Sequence, residues 1–317
     1  MVKQDQLARS KEIHKRTGRT FYVATKFLPE RVRLPTYVLY AFFRVADEVV
    51  DGENDLSPPE REARLEEFRR AALGEEPSDD PVLSAFAEIR ETHGIPAGSV
   101  NTFVDAMATD IEKTRYESYD ELRQYMDGSA SAVGRMMTAV MAPESADEAL
   151  PAATALGEAF QLTNFVRDVR EDVLDRDRVY LPAETLRAHG ATQEQITRLA
   201  FDENVAAAVR TELERAEALY LDGVAGIKLL PKDCQFPVLL AAVLYVDHHR
   251  MIRARDYNVV AETPELTLAR RLWLAARTRI AWWRTPDPMT VFRRVSAISD
   301  GETDHRLCRA MGRLPVP

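Results

Sequence analysis

The chain has 317 residues, 45% of them hydrophobic, and its 51 acidic side chains outnumber 42 lysines and arginines for a net charge of −9. That length buries a substantial core, as one large domain or two intimately packed halves, and an acidic chain of pI near 5.4 is not built for nucleic acid. Only Cys234 and Cys308 are present, in no metal-binding spacing, the polar stretch from Met1 to Arg19 lacks the apolar core of a signal peptide, and no apolar run approaches the ~18 residues of a membrane span. A cytoplasmic protein, at most peripheral on the inner face of the cell membrane, is expected.

Along the chain, the first strong pattern runs from Val38 to Asp51. Tyr40, Arg44, Asp47 and Asp51 share one helical stripe, while Leu39, Phe42, Phe43, Ala46 and Val50 are apolar, which predicts a buried helix carrying an acidic seam that ends before Gly52. Polar, proline- and glycine-bearing clusters at 52–60, 74–81, 94–98, 142–151 and 228–237 read as loops between long segments of helical period. The segment Tyr119–Met137 holds Gly128, Ser129, Ala130, Ser131 and Gly134, small residues that a helix interior keeps for close packing or for a ligand. A second seam follows, with Gly157, Gln161, Asn164, Asp168 and Asp172 on one stripe, and after it comes Asp175-Arg176-Asp177-Arg178-Val179-Tyr180-Leu181-Pro182.

Phe236 to Val246 is the longest apolar run, of core-helix length. The adjacent His248 and His249 must point in different directions on a helix and read as an ordinary pair. Leu266 to Arg284 mixes Arg270, Arg271, Arg277, Arg279 and Arg284 with Leu272, Trp273, Ile280, Trp282 and Trp283. That is the composition of an interfacial helix, or of a last core helix whose arginines pair with an acidic surface. Alternating strand-like runs are scarce, so the pattern predicts an all-α bundle with a site made of inward-facing side chains.

Two acidic seams on apolar helices need counter-charge. Like charges at this spacing repel, the helix dipole opposes the first pair, and an unpaired buried carboxylate costs several kcal/mol. Oxygen ligands without nearby histidine or cysteine suit Mg²⁺, which takes one or two carboxylates and completes its shell with water and phosphate; Mn²⁺ is the alternative ion. Arginines such as Arg44, Arg167 and Arg178 offer a second source, either pairing with the acids or gripping a diphosphate. A di-iron reading fails, because Glu302-Thr303-Asp304-His305 is the one Glu-x-x-His spacing and lies in the tail. Metal-bound diphosphate above an apolar, aromatic interior points to ionisation of an allylic diphosphate.

The run Tyr40-Ala41-Phe42-Phe43-Arg44-Val45-Ala46-Asp47-Glu48-Val49-Val50-Asp51 resembles the first signature of the squalene/phytoene synthase family. Gln161 to Asp172, followed by Arg178-Val179-Tyr180-Leu181-Pro182, resembles the second. Thr20-Phe21-Tyr22, Leu28-Pro29, Asp110, Arg115-Tyr116, Tyr125, Gly128, Ala130 and Gly134 add support. The likeness covers about residues 15–260, leaves 261–317 divergent, and is most like the prokaryotic, archaeal-type phytoene synthases of that family. Departures are Asp177 and Ser131, where the family often has glycine, and Glu262-Thr263, where it usually places an arginine.

The resemblance implies a single prenyl synthase domain over 1–317 with the class I isoprenoid synthase bundle and a central apolar cavity. It implies head-to-head joining of two geranylgeranyl diphosphates to phytoene through a cyclopropyl diphosphate, without NADPH. Squalene or dehydrosqualene synthesis from farnesyl diphosphate is the alternative, and a non-catalytic assembly or binding member is the alternative of another class. By the same resemblance Asp47, Asp51, Asp168 and Asp172 would hold Mg²⁺ with Glu48, Glu171 and Asn164 in support. Arg44, Arg167, Arg178, Gln161, Asn164, Tyr116 and Tyr245 would contact diphosphate or metal-bound water, Tyr40 would join the catalytic set, and Arg19 and Thr20 would close over the site. Prenyl diphosphates, a membrane surface and downstream carotenoid enzymes are the implied partners.

Overall fold

The structure is a computed structural model that describes residues 2–52 and 56–298, leaving the side chain of Arg19 outside the description. Among the described residues there is no strand; the one bridge joins Arg115 to Val179. The helices are α1 (Gln4–Thr17), α2 (Arg19–Thr25), α3 (Glu30–Asp51), α4 (Pro58–Leu73), α5 (Pro81–His93), α6 (Ala97–Thr109), α7 (Tyr119–Met126), α8 (Ala132–Met141), α9 (Ala146–Arg167), α10 (Val169–Arg176), α11 (Ala183–Ala188), α12 (Gln193–Thr197), α13 (Glu203–Gly226), α14 (Lys232–Arg253), α15 (Leu268–Arg284) and α16 (Pro288–Val295). The all-α expectation therefore holds.

Local chemistry sets many of the ends. Asp80 accepts from the amides of Val82 and Leu83 to start α5, and Gly74 and Gly94 close α4 and α5 in the left-handed conformation. Two expected loops are shorter than their prolines suggested: Pro151 and Pro237 lie inside α9 and α14. Each sits in the second turn of its helix, where the missing amide removes a single early hydrogen bond.

Besides a smaller cluster where α10, α11 and α12 pack on the start of α13, buried apolar side chains form one cluster around α3, α5, α6 and α8, where Phe42 stacks on Phe86 at 3.7 Å, and another around α13 to α16. The long helix α9 runs between them, packed along α13 and α8. The small-residue segment is a π-turn, Asp127–Ser131, joining α7 to α8. Its glycine, and Gly157 facing it on α9, serve close packing. A Cβ on Gly128 would come within 2.4 Å of the Thr102 carbonyl oxygen, and one on Gly157 within 2.7 Å of the Ala130 carbonyl oxygen. Ser131, where a glycine was expected, uses its hydroxyl to donate to Glu158 at 2.9 Å.

The approach of α9 to the π-turn is backbone on backbone, so Gly157→Ala has no flexible neighbour to displace. It should lower stability by roughly 1–3 kcal/mol, the cost of overpacking. Calorimetric melting of the purified variant tests this; an unchanged midpoint would show that the helices can part at no cost.

Candidate active site

A cavity of about 460 Å³ lies between the two clusters, walled by α1, α2, α3, α6, α8, α9, α13 and α14. Its upper wall carries His14, Tyr40, Arg44, Asp47, Gln161, Asn164 and Tyr245, and its depths are apolar, with Leu28, Met107, Val133, Met141 and Leu230 among the lining. Aromatic rings collar it just below the acids: Phe21 lies 4.2 Å from Tyr245, and Phe160 lies 5.0 Å from the same ring.

The first seam forms as its spacing required. Arg44 donates from Nη1 to Asp47 Oδ2 at 2.8 Å, while Asp51 at the helix end accepts from both Arg176 (3.1 Å) and Arg178 (2.8 and 3.2 Å). Arg178 is 6% exposed and its guanidinium also donates to the Asp110 carbonyl at 2.6 Å, so it bridges α3, the end of α6 and the loop after α10. Burial raises the Asp47 carboxyl to about 6, with Arg44 opposing and Asp51 adding to the rise.

The second seam differs from its expected form. The stripe breaks at Asp168, which ends α9 with φ −98° and ψ 13°, and a new helix, α10, begins at Val169. Arg167 holds both Asp168 oxygens, from Nε at 2.6 Å and from Nη2 at 2.5 Å. The break has an electrostatic consequence. Glu171 and Asp172 fall in the first turn of α10, where the helix dipole favours negative charge. Even so, burial and the neighbouring Asp168 lift Asp172 to about 7, although Arg176 pairs with it at 3.1 Å. Glu171 is raised by the same two causes.

Asp177 adopts φ +49°, the left-handed region that glycine enters most easily, and its carboxylate is paired with Arg115 at 2.7 Å. An aspartate tolerates that conformation better than most side chains.

Tyr40, Arg44, Asp47, Gln161, Asn164 and Tyr245 are thus brought to one cavity, with Asp51, Arg178, Arg167, Asp168, Glu171 and Asp172 around its acidic end. Glu48 is exposed on α3. Thr20 is half-buried on α2, and the Arg19 side chain lies outside the described residues. Tyr116 is not in the cavity wall. It is 1% exposed and packs on Tyr180 and Tyr125 behind Arg178. His14, Phe21, Phe43 and Phe160 line the cavity without any spacing signal that marks them, because each is one aromatic among ordinary helix residues. Among the described residues no three acidic, histidine or cysteine side chains converge as ligands; the carboxylates turn to their arginines instead. The Asn164 side-chain oxygen is buried without a hydrogen-bond partner.

Residues 14–278 match the squalene/phytoene synthase family model. A phytoene synthase from Cereibacter sphaeroides is 33% identical over 279 residues, spanning 84% of this chain and 75% of that protein. A phytoene synthase from Rhodobacter capsulatus is 31% identical over 311 residues, spanning 94% and 88%. The fold is similar to that of a dehydrosqualene synthase crystallised with a ligand, with a TM-score of 0.78, 25% identity, and coverage of 89% of this chain and 98% of that one.

Asp110, behind Arg178, offers a titration test. Burial raises its carboxyl to about 7 against the opposing charge of Arg178 and the hydrogen bond donated by Tyr125 at 2.6 Å. A carboxyl whose folded pKa exceeds its unfolded value of about 4 stabilises the fold below that pH, and the contribution is lost as pH rises through about 7. Asp110→Asn should therefore shrink the fall in melting temperature between pH 4.5 and pH 8. An identical pH dependence in variant and parent would mean that the carboxyl titrates normally.

Proposed function

The chain belongs to the squalene/phytoene synthase family of prenyltransferase-type enzymes, and from that premise we propose that it joins two geranylgeranyl diphosphates head to head to make phytoene for carotenoid biosynthesis. The observation that carries this reading is the mouth of the cavity, where two acid and arginine segments face an aromatic-collared apolar interior. The phytoene synthases to which it is similar support the C20 substrate over the C15 one. The helices act as one prenyl synthase domain, since N-terminal α1 to α3 and C-terminal α13 and α14 wall the same cavity.

The donor set fits a hard divalent cation. It is all oxygen, Asn164 Oδ1 is an orphaned acceptor, and burial and neighbouring carboxylates hold Asp47 and Asp172 above the usual carboxylate range despite their arginines. Asp47, Asp51, Asp168 and Asp172, aided by Glu48, Glu171 and Asn164, would hold Mg²⁺ or Mn²⁺. When bound, the ion supplies Lewis-acid charge to the leaving diphosphate.

The chain's own groups do the rest. Arg44, Arg167 and Arg178 grip diphosphate oxygens with planar forks, and Gln161 and Asn164 orient the head group. Arg19 and Thr20, on the short helix over the cavity, close the N-terminal side. Tyr40, Tyr245, Phe21 and Phe160 exclude water and turn ring faces toward developing positive charge. Tyr116, buried behind Arg178, supports that arginine from the rear. The reaction forms a cyclopropyl diphosphate, then the hydrocarbon, and needs no NADPH.

Asp47→Asn and Asp168→Asn should each reduce turnover by more than about 100-fold while leaving the helical spectrum intact, because each removes charge from the ion's seat. Purified protein with Mg²⁺ and either geranylgeranyl or farnesyl diphosphate, with and without NADPH, followed by identification of the hydrocarbon, tests the reading. A C30 product formed from farnesyl diphosphate in preference to C40 would move the assignment to dehydrosqualene or squalene synthesis, and wild-type rates in either aspartate variant would sink the cation site.

Membrane contact is the proposed means of delivering lipid diphosphates and releasing hydrocarbon to downstream carotenoid enzymes, with the protein on the cytoplasmic face. No helix among the described residues is long and apolar enough to cross a membrane. On α15, Leu268, Leu272, Trp273, Ile280 and Trp283 are exposed, Trp283 at 82%. Not all of its arginines face outward: Arg270 pairs with Asp247 at 2.7 Å, and Arg277 donates to the Arg294 carbonyl. The apolar residues are therefore the better probe. Trp283→Ala with Ile280→Ser should cut sedimentation with anionic liposomes several-fold, and parent protein that fails to sediment with them at low salt would exclude the contact.

A further inference from the structure

Charge is unevenly spread along this acidic chain. Residues 1–37 hold nine lysines and arginines against three acids, and they include four of the seven lysines in the sequence. The fold gathers part of this charge around a second cavity, of about 420 Å³, between α1, α2 and α3. Lys11 of α1, Lys26 at the end of α2 and Arg33 of α3 line it together with Leu7, Tyr22 and Tyr37, and no carboxylate is among its described lining residues.

These cations lack the partners that arginines find at the active-site mouth, where Arg44 and Arg178 each meet a carboxylate at 2.8 Å. Among the described residues neither Lys11 nor Lys26 forms an ion pair, and Arg33 reaches Glu30 only at 3.9 Å. Each ammonium rests over a ring instead, Lys26 at 4.9 Å from Tyr22 and Lys11 at 6.0 Å from Tyr37. Tyr22 and Tyr37 are themselves neighbours, 6.0 Å apart, so the two lysines flank one pair of rings. Burial, with Tyr22 adding, holds the Tyr37 hydroxyl above the ordinary phenol value against the charge of Arg33, so it stays protonated and able to donate.

The position of the cavity narrows its use. Tyr22 and Tyr37 also touch His14, which lines the active-site cavity, so the two cavities share a wall of aromatic side chains. At the rim Lys26 is followed by Phe27, 48% exposed, which packs on Phe236 at 5.5 Å, and Phe236 meets Trp282 of α15 at 6.1 Å. A path of rings therefore leads from the basic cavity to the helix whose exposed apolar residues are proposed above to meet a membrane.

The lining also selects the chemistry of an occupant. Three cations exceed what one carboxylate balances but suit a phosphate, with its greater charge and several acceptor oxygens, and lysine binds phosphate as a point charge. Leu7 and Leu34, half-buried beside the cations, add an apolar strip. An anion carried on an apolar chain satisfies both.

We propose that the cavity between α1, α2 and α3 binds the phosphate head group of an amphiphile through Lys11, Lys26 and Arg33, apart from the acid-lined mouth. A membrane phospholipid and a prenyl diphosphate both carry such a group, and the path of rings to α15 favours the phospholipid. The site stands on its own, whether or not the chain couples prenyl diphosphates.

The test uses two variants of the full chain with equal loss of charge. Lys11→Gln with Lys26→Gln removes two exposed cations of the cavity, and Lys15→Gln with Arg16→Gln removes two from the exposed last turn of α1, outside it. One arm is sedimentation with phosphatidylcholine vesicles containing phosphatidic acid; the other is calorimetric titration with inorganic diphosphate in the absence of Mg²⁺. The Lys11 and Lys26 variant should bind the vesicles roughly tenfold or more weakly than the parent, the scale of two lysines at an anionic surface, and the Lys15 and Arg16 variant should lose much less. Loss in the vesicle arm alone identifies a lipid head group as the occupant, and loss of one bound diphosphate in the titration identifies the soluble anion. Unchanged behaviour of the Lys11 and Lys26 variant in both arms overturns the proposal, as does a parent that binds neither ligand, or an equal loss in the Lys15 and Arg16 variant, which would show an effect of net charge alone.

Discussion

Everything at the cavity mouth depends on the neutralisation of clustered carboxylates by arginines. Asp47, Asp51, Asp168 and Asp172 sit at or beside helix ends, and each faces a guanidinium: Arg44, Arg178, Arg167 and Arg176 respectively. Three of these pairs are local, within α3, at the α9–α10 junction and within α10; the tie between segments is Asp51, which accepts from both Arg176 and Arg178 and so joins α3 to α10 and the loop after it. The balance is incomplete, because Asp47 and Asp172 still sit well above the ordinary carboxylate range. A site of this kind is poised to exchange partners. Cations can take the carboxylates while the freed arginines turn to an anion, so both halves of a metal diphosphate find ligands that the fold already holds in place.

The apolar half of the molecule follows from the same constraint. Charge at the mouth limits where the chain can be dry, and close helix contacts make the depths dry. Backbone contact at Gly128 and Gly157 draws α6, the π-turn and α9 together. Aromatic rings line the boundary between the two zones: Tyr245 lies under the Arg167 guanidinium, and Phe21 and Phe160 pack against it. A reactive cation generated at the mouth would therefore move directly into a water-poor, ring-lined space.

Much of this was legible in the amino-acid order, and the exceptions have physical causes. The seam on α3 could be read because Tyr40, Arg44, Asp47 and Asp51 repeat at helical spacing against an apolar background. The break at Asp168 could not, since neither glycine nor proline marks it; it accompanies a local pairing of Arg167 with its own neighbour. The glycines of the third segment signalled an unusual helix, but whether they made room or contact depended on which backbone lay opposite. Pro151 and Pro237 misled as punctuation because each falls in the second turn of a helix that packs along its neighbours, where the one lost amide bond does not end it. His14 gave no signal at all: a lone histidine on a polar first helix shows as a core residue only once Tyr22, Tyr37 and Tyr40 bury it.

The exchange of partners at the mouth can be tested without turnover, by titrating inorganic diphosphate into the protein in a calorimeter, with and without Mg²⁺. If the carboxylates take the ion and release the arginines to the anion, diphosphate should bind at least tenfold more tightly with Mg²⁺ present, a difference of about 1.4 kcal/mol. Equal affinity in the two titrations would contradict the account, because the arginines would then bind the anion without any need for the acids to change partners.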